Sequence, residues 1–271
     1  MLLSVLLAFL VAAVALIIHG NVTIQVTNIE ISSEKIPDAF SGYRIAHVSD
    51  LHNAQFGKDN ERLLSLIEDA DPDIIVITGD IIDSRNPDAL VASSFLDLCA
   101  DIAPCYYVRG NHEKRILEEY EKLLSEIENE NVHILCDEAV TIERDGEAVS
   151  LIGMDDHAKD SADFLPILSS LCEKGEEYRI VLSHKPDFYN EYAAAGADLV
   201  FCGHAHGGQF VLPFVGGILA PGQGLFPEYT DGLYMIEKTA MIVSRGLGNS
   251  LFPFRINNYP QLIIAELTGE N

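Results

Sequence analysis

Side chains that can bind a metal ion follow five short apolar runs of the sequence. The runs lead into the patterns Asp-x-His, Gly-Asp-x-x-Asp, Asn-His, a single His and His-x-His. Because α/β sheets build their sites where strands end, we expect these side chains to meet in one place. The candidate residues are Asp50, His52, Asp80, Asp83, Asn111, His112, His184, His204 and His206.

The chemistry of this donor set indicates which ions it would bind. Imidazole nitrogens, carboxylate oxygens and an amide oxygen suit divalent Mn, Fe or Zn, and they argue against copper and iron–sulfur sites. The set is also larger than one ion requires. Two ions about 3.5 to 4 Å apart that share a carboxylate form a centre that hydrolyses phosphate esters. The sequence therefore predicts two divalent ions and phosphoester hydrolysis.

Each motif taken alone has a simpler explanation. Asp50 and His52 fit a capped turn, Asp80 fits an ordinary exit from a strand, and His184 fits a buried core histidine. Cys202 precedes the Gly203-His204 block of the last motif, and we interpret it as part of a packed strand. All five patterns occur in one chain, each at the end of an apolar run, and this favours the metal centre.

The elements that must position these residues alternate between strand and helix. Apolar and β-branched runs predict strands, and apolar stripes at helical spacing lie between several of them. Beyond Phe210 the helical pattern ends and only strands follow. The predicted fold is α/β, a layered β-sandwich flanked by helices. The strands are predicted at 43–49, 74–78, 106–108, 149–153, 179–183, 199–202, 233–236, 241–243 and 262–267, and helical stripes at 63–67 and 116–127.

The first 18 residues form an uncharged apolar segment. At 1.5 Å per residue a helix of this length spans about 27 Å, close to the roughly 30 Å core of a bilayer. The alternative is a cleavable signal peptide with a small-residue site at Ala13-Val14-Ala15, but no Lys or Arg precedes the segment. We expect a single-pass transmembrane helix over 1–18, a juxtamembrane strand and connection over 19–41, and one domain over 42–271. The side of the membrane stays open because the first basic residues, Lys35 and Arg44, follow the segment.

Charge and cysteine content exclude several classes of protein. The chain has 271 residues and a net charge of −25, so a broad basic surface for duplex nucleic acid is absent. The five cysteines form no Cys-x-x-Cys pair, which argues against a disulfide scaffold and a thiolate zinc site. A small or membrane-borne substrate fits this composition better than a polyanion.

The ordered motifs resemble those of the calcineurin-like metallophosphoesterases, from about residue 42 to the C-terminus. The resemblance implies the metallophosphoesterase fold and a centre of two divalent ions bridged by Asp80. It assigns one ion to Asp50, His52, Asp80 and His206. It assigns the second ion to Asp80, Asn111, His184 and His204.

The same resemblance implies how the centre would work. Two ions lower the pKa of a water they share, so that a bridging hydroxide attacks the phosphorus without a protein nucleophile. His112 would protonate the leaving oxygen. Asp83 would orient His112 and keep it cationic by pairing with it.

The substrate class is only partly indicated. Residues 207–209 and 244–248 resemble a branch of membrane-associated phosphodiesterases that includes UDP-diacylglucosamine hydrolase-like proteins. The apolar stretch 210–226 could line the cleft for a lipid-linked substrate or be the buried part of a β-rich lobe. Arg109 and Arg245 are candidate phosphate contacts.

Two functions therefore remain open. The first is a membrane-anchored two-metal phosphoesterase that cleaves a phosphodiester or pyrophosphate bond in a small-molecule, nucleotide-type or lipid-linked substrate. The second is a non-catalytic membrane-anchored scaffold that keeps the metals for structure. A scaffold is expected to have lost His112 or Asp83, and both are present.

Overall fold

The structure is a computed structural model that describes residues 2–158, 162–173, 177–249 and 252–270. Its strands fall into two six-stranded sheets and two short hairpins. The strands are β1 (Gln25–Ser33), β2 (Arg44–Val48), β3 (Ile74–Ile77), β4 (Cys105–Tyr107), β5 (Val132–Ile134), β6 (Glu138–Arg144), β7 (Glu147–Gly153), β8 (Tyr178–Leu182), β9 (Leu199–Cys202), β10 (Val211–Leu212), β11 (Gly216–Gly217), β12 (Leu219–Ala220), β13 (Gly224–Leu225), β14 (Gly232–Ile236), β15 (Thr239–Val243) and β16 (Gln261–Gly269).

Seven α-helices connect or flank these strands in the described part of the chain. Asp88 caps one of them, because its side chain accepts a hydrogen bond from the Val91 backbone N–H. The helices are α1 (Leu2–Val22), α2 (Glu61–Asp69), α3 (Ala89–Ile102), α4 (Asn111–Arg115), α5 (Leu117–Glu126), α6 (Phe164–Cys172) and α7 (Tyr189–Ala195).

The first sheet has the order β1-β16-β2-β3-β4-β5. Strands β2 to β5 are parallel, β16 runs antiparallel to β2, and β1 pairs in parallel with β16 over nine residues. Part of the segment 19–41 is thus an edge strand of this sheet. Because β2, β3 and β4 are parallel, their carboxyl ends lie at one edge.

The second sheet has the order β14-β15-β9-β8-β7-β6. Its four central strands, β15, β9, β8 and β7, are parallel, and an antiparallel strand closes each side. The parallel strands β8 and β9 bring their carboxyl ends to one edge. These two strands precede the His184 and His204 motifs.

Three apolar clusters define four layers. The middle cluster joins the facing sides of the two sheets, with Val76 and Leu151 as examples from either sheet. The first sheet packs its other side against α2, α3 and α5. The second sheet packs its other side against α6 and α7. The order is helix, sheet, sheet, helix, so the predicted α/β layered sandwich is confirmed.

The sequence predicted nine of the sixteen described strands, six of them to within one residue at both ends, and it did not predict every helix. The strands predicted at 43–49, 74–78 and 199–202 correspond to β2, β3 and β9. Helix α3 was not predicted, because small and apolar residues occur around most of it and no clear polar face marks a helical period.

The N-terminal segment is helical but does not support the predicted anchor. Helix α1 covers most of the segment 1–18. The side chains at positions 2, 3, 8, 9 and 12–17 lie outside the described residues. Among the residues that the structure describes, no helix is both long and apolar enough to cross a membrane. The prediction of a transmembrane helix over 1–18 is therefore not supported.

Candidate metal centre

Strand ends from both sheets deliver the predicted metal ligands to one edge of the sandwich. Asp50 and His52 follow β2, and Asp80 follows β3. From the second sheet, His184 follows β8 and His204 follows β9. Asn111 begins α4 after β4, and His206 completes the last motif. We call the seven side chains the metal edge: Asp50, His52, Asp80, Asn111, His184, His204 and His206.

The first group in the metal edge consists of Asp50, His52 and His206, which together can hold one ion. The His52 Nε2 and His206 Nε2 atoms are 3.3 Å apart. The Asp50 Oδ1 atom lies 3.4 Å from His206 Nε2 and 3.9 Å from His52 Nε2. All three residues are buried, so their polar atoms face one another rather than solvent.

The second group consists of Asp80, His184 and His204, with Asn111 beside it. The His184 Nε2 atom lies 3.0 Å from His204 Nδ1 and 3.2 Å from Asp80 Oδ2. The Asn111 Oδ1 atom is 3.3 Å from the same His184 nitrogen. The geometry thus brings together the residues predicted for the second ion.

The Asp80 carboxylate lies between the two groups. Its Oδ2 atom is 3.2 Å from His184 Nε2 and 3.8 Å from His52 Nε2. A carboxylate placed between two sets of nitrogen ligands fits the predicted bridge between two ions. The donor chemistry of nitrogen, carboxylate and amide atoms also fits divalent ions. The ligand assignments themselves stay predictions.

The backbone of the metal edge is strained at five of its seven residues. Asp50, His52, Asp80, His204 and His206 have φ angles between 46° and 66°. This left-handed region is uncommon for residues with a side chain, and it costs free energy unless the surroundings enforce it. The strands therefore end in tight turns that aim consecutive polar side chains inward.

Two glycines let the turns approach one another. A Cβ atom on Gly79 would lie 2.5 Å from the Gly110 backbone nitrogen, and a Cβ on Gly110 would lie 2.3 Å from Asp80 Oδ1. Gly79 also has a φ of 90°. Any side chain at either position would separate Asp80 from the Asn111 motif.

Glu113 holds the turn that carries Asp80, a role that the sequence did not reveal. One carboxylate oxygen accepts the backbone N–H groups of Asp80 and Gly110, at 3.0 and 2.8 Å. The other oxygen accepts the N–H groups of Ile81 and Ile82, at 2.7 and 3.3 Å. The sequence feature that could have indicated this role is the position of Glu113 three residues after Gly110, which is the N3 position of α4. Three of these N–H groups belong to the Asp80 turn and the fourth belongs to Gly110 before Asn111, so Glu113 ties the two turns together.

Burial and charge decide the protonation of the histidines. Burial lowers the pKa of His52 to about 3 and holds the pKa values of His204 and His206 well below their usual range. These rings are therefore neutral, which is the form that binds a metal. Burial also lowers the pKa of His184, but the charges of Asp80 and Asp50 outweigh it and raise the pKa to about 10. A positive charge is thus favoured between these carboxylates.

Comparison with known proteins identifies the family. The profile of the calcineurin-like phosphoesterases matches residues 43–208. The chain belongs to this family. It is 30% identical to the uncharacterized metallophosphoesterase YkuE of Bacillus subtilis over 256 residues, which cover 92% of this chain and 87% of that protein. It is 28% identical to the phosphodiesterase YaeI of Escherichia coli over 239 residues, covering 85% and 84%.

The fold has a counterpart among solved structures. The crystal structure of TT1561 from Thermus thermophilus superimposes with a TM-score of 0.55 and 14% sequence identity, over 76% of this chain and 91% of that chain. Membership of the family makes this chain a metallophosphoesterase-type hydrolase. Its clustered His and Asp side chains are the candidate ligands for divalent ions.

His112 presents one ring nitrogen to the metal edge. The Ser84 backbone N–H donates to His112 Nδ1 at 3.0 Å, and His112 Nε2 lies 3.9 Å from Asp80 Oδ2. Because Nδ1 accepts a hydrogen bond, the proton of the neutral ring resides on Nε2. Burial lowers the pKa of His112, against the opposing charges of Asp80 and Asp83.

Asp83 is close to His112 but is bound mainly by another residue. Its Oδ1 atom is 3.5 Å from His112 Nδ1. Both carboxylate oxygens bind Arg85, from Nε at 3.1 Å and from Nη2 at 2.8 Å. The contact that orients His112 therefore comes from Ser84, and the lowered pKa of His112 differs from the cationic ring that was expected. A role for Asp83 in turnover stays a prediction.

The two arginines predicted as phosphate contacts lie elsewhere in this phosphoesterase. Arg109 forms a bidentate ion pair with Asp155, in which Nη2 is 2.6 Å from Oδ2. Arg245 donates from Nη2 to the Gln25 side chain at 2.8 Å. Neither residue lines the cavity over the metal edge. The prediction followed from their motif glycines, which fix the course of the backbone but not the direction of the side chain.

Two other arginines line that cavity, which has a volume of about 200 Å³. Arg85 and Arg115 form its wall beside His112, whereas Asp80, His204 and His206 belong to the metal edge. Pro221 lines the cavity from the C-terminal part of the chain. The sequence offered no signal for these arginines, because neither adjoins a metal ligand.

The stretch 210–226, which we call the hairpin arm, is largely exposed at its tips. It contains the antiparallel pairs β10-β11 and β12-β13. Phe214 is fully exposed, and Leu225 and Phe226 are 69% and 66% exposed. The alternative of a buried lobe is thus wrong for these three side chains. Pro221 joins the hairpin arm to the cavity.

Proposed function

We propose that this chain is a two-ion phosphoesterase that cleaves phosphodiester or pyrophosphate bonds. The observation that carries the proposal is the position of Asp80 Oδ2, which lies 3.2 Å from one group of candidate ligands and 3.8 Å from the other. Two bound divalent ions supply a nucleophile from water near neutral pH and neutralise the phosphate oxygens. Asp50, His52, Asp80 and His206 would hold one ion, and Asp80, Asn111, His184 and His204 the other.

His112 serves the leaving group in this proposal. His112 lines the cavity, and Nε2 carries the proton of the neutral ring because Nδ1 accepts a hydrogen bond from the Ser84 N–H. A proton or hydrogen bond from Nε2 stabilises the oxygen that departs from phosphorus. Asp83 acts indirectly, through Arg85: its ion pair holds Arg85 in the cavity wall beside His112.

Arg85 and Arg115 supply positive charge for the anionic substrate. Both line the cavity in a chain whose net charge is −25. Arg115 forms no ion pair with a described carboxylate, and its charge helps to lower the pKa of His112. A guanidinium group fits two phosphate oxygens at once, which suits these residues to orient a phosphoryl group.

We further propose an amphiphilic or lipid-linked substrate rather than a protein phosphoester. The hairpin arm adjoins the cavity and exposes Phe214, Leu225 and Phe226, which would contact the apolar part of the substrate. The resemblance of residues 207–209 and 244–248 to UDP-diacylglucosamine hydrolase-like proteins supports the same class. The name of the Escherichia coli relative, a phosphodiesterase, supports a diester over a monoester.

The direct test is hydrolysis of two chromogenic esters by the purified full chain. The protein is stripped of metal and reloaded with Mn, Fe or Zn, and bis(p-nitrophenyl) phosphate is compared with p-nitrophenyl phosphate. We expect metal-restored turnover with a preference for the diester. A protein that binds two ions but cleaves neither these esters nor a lipid-linked diphosphate would support the non-catalytic scaffold instead.

A further inference from the structure

A chain of hydrogen bonds runs from the metal edge into the space between the two sheets. The Ser49 hydroxyl donates to Asp50 Oδ2 at 2.6 Å, and the Thr78 hydroxyl donates to Ser49 Oγ at 2.9 Å. The His47 Nε2 atom lies 2.8 Å from Thr78 Oγ1. Because the Thr78 proton points toward Ser49, its oxygen accepts from His47 Nε2–H. Every proton in the chain is therefore directed toward Asp50.

The four residues linked by these hydrogen bonds, His47, Thr78, Ser49 and Asp50, are fully buried. The His47 ring packs against Phe201, with the ring centres 5.1 Å apart, and burial lowers its pKa to about 3. His47 is thus a neutral donor. Polar groups in such a place reduce stability unless they are paired, so apolar side chains would be expected here if packing were the only requirement. The arrangement points to a function in the adjacent site.

These hydrogen bonds determine which oxygen of Asp50 is available to bind a metal ion. Asp50 Oδ2 accepts the two shorter hydrogen bonds, from the Ser49 hydroxyl at 2.6 Å and from the His204 backbone N–H at 3.0 Å, whereas the same N–H lies 3.3 Å from Oδ1. Asp50 Oδ1 faces His206 Nε2 at 3.4 Å. The hydrogen bonds hold one oxygen and turn the other toward the candidate ion, as outer contacts of metal ligands commonly do.

Thr78 also contacts the second group of candidate ligands. Its backbone carbonyl accepts a hydrogen bond from His184 Nδ1–H at 2.7 Å. This bond fixes the orientation of the His184 ring, with Nδ1–H on the carbonyl and Nε2 facing Asp80 Oδ2 at 3.2 Å. One residue at the end of β3 therefore fixes a ligand of each group, through its hydroxyl on one side and its carbonyl on the other.

We propose that Thr78 is a positioning residue for both halves of the metal centre, with its hydroxyl acting on Asp50 through Ser49 and its carbonyl acting on His184. The inference rests on the two-ion site of the proposed function. The Thr78 hydroxyl acts only on the ion that Asp50 would bind. Substitution of the Thr78 side chain leaves the backbone carbonyl, and therefore its bond to His184, in place.

The test is metal binding without substrate. The full chain is stripped of metal and titrated with Mn²⁺ in a calorimeter, as wild type and as Thr78→Val, Thr78→Ser and Ser49→Ala. Thr239→Val is the matched control, because this buried threonine donates to Ala197 O at 2.6 Å and takes no part in the metal edge. Circular dichroism shows that each variant is folded.

We expect Thr78→Val and Ser49→Ala to weaken binding of one ion by about 10- to 100-fold and to leave the other ion unchanged. Thr78→Ser restores the hydroxyl and should restore binding, and Thr239→Val should bind as wild type does. Two ions bound with wild-type affinity by Thr78→Val would overturn the proposal. If that variant does not fold, Ser49→Ala decides by the same criterion.

The result separates the two proposals. A wild-type chain that does not bind two ions would refute the two-ion site, and the role of Thr78 with it. Normal two-ion binding without any phosphoester hydrolysis would contradict the proposed function and leave the positioning role intact. Normal binding by the Thr78 and Ser49 variants would contradict the positioning role alone.

Discussion

The metal edge and the hairpin arm adjoin one cavity, but they are built in opposite ways. The residues of the metal edge end buried parallel strands, and most of them are almost fully inaccessible. The hairpin arm consists of two-residue strands in two separate hairpins, with Phe214 and Phe226 exposed at its surface. The difference separates the part that fixes the chemistry from the part that meets the substrate.

The physical reason for this difference is the number of constraints on each region. Left-handed turns at Asp50, Asp80 and His204 persist because buried hydrogen bonds, such as those of Glu113, hold them in place. The exposed tips of the arm have few such bonds, so their sequence can change without disturbing the sheets. We therefore expect changes in the metal edge to affect every substrate and changes in the arm to affect only some.

The largest expected effect comes from Asp80→Asn. An amide has one oxygen instead of a symmetric charged pair, so it cannot bridge two dications, and turnover of all phosphoesters should be lost. Rate and metal content are measured together on the reloaded protein. Asp145→Asn, at an exposed turn, is the control. Wild-type turnover in Asp80→Asn would show that catalysis does not require Asp80 as a bridge between two ions.

His112→Asn should separate metal binding from catalysis. We expect both ions to be retained and kcat to fall by about 100- to 10,000-fold, because a proton donor at the leaving oxygen is lost. Ser84→Ala is the control, since it deletes the hydroxyl 3.1 Å from His112 Nδ1 but keeps the backbone N–H that orients the ring. Equal rates in wild type and His112→Asn would exclude the ring from the mechanism.

The hairpin arm is tested by Phe214→Ser combined with Phe226→Ser. Loss of the apolar contact should lower kcat/KM for a lipid-linked diphosphate in detergent micelles by about 10- to 100-fold. Hydrolysis of bis(p-nitrophenyl) phosphate should stay at the wild-type rate. Leu117→Ser removes an exposed apolar residue on α5 and should change neither activity. Equal losses on both substrates would mean that the arm supports the fold rather than the substrate.

Arg115→Ala should have a smaller effect on substrate binding. The residue lines the cavity but is exposed, so we expect a rise in KM of about three- to tenfold with little change in kcat. Lys58→Ala, which removes an exposed cation on another surface, is the control. An unchanged KM would mean that Arg115 does not bind the substrate and that the metal edge alone recognises the phosphoryl group.

The smallest effect concerns the Arg109–Asp155 pair, which we interpret as structural. Burial raises the pKa of Asp155, but Arg109 outweighs it and lowers the pKa below the ordinary 3.8. A lowered pKa stabilises the folded state above pH 4, and this contribution disappears as the pH falls through the folded value. Asp155→Asn should therefore unfold at lower urea than wild type at pH 7, with a smaller difference at pH 3. If Asp155→Asn raised the KM and left stability unchanged, the structural interpretation would be wrong and Arg109 would be a substrate contact.

The sequence predicted the metal edge because spacing and residue type suffice for it. Strand ends that carry Asp, His and Asn leave few alternatives once five of them occur in order, and parallel strands must bring those ends together. The α/β layers followed from the same alternation of strands and helices. These features depend on local patterns that can be read along the chain.

What the sequence did not reveal depends on contacts between distant residues. Glu113 and Thr78 are near metal-edge residues in sequence, but their bonding partners are distant: Ile81 N–H binds Glu113 from 32 residues away, and His184 binds the Thr78 carbonyl from 106 residues away. Arg109 was predicted at the cavity because glycine adjoins it, but Asp155 binds its side chain. Arg85 and Arg115 reach the cavity instead, which only the folded chain shows.

The most direct test of the central claim is a crystal structure of the protein reconstituted with Mn²⁺, with anomalous scattering used to locate the ions. The account predicts two peaks about 3.5 to 4 Å apart, with the Asp80 carboxylate between them. One peak should lie beside His52 and His206, and the other beside His184 and His204. A single peak, or two peaks that do not share Asp80, would contradict the two-ion phosphoesterase proposed for this chain.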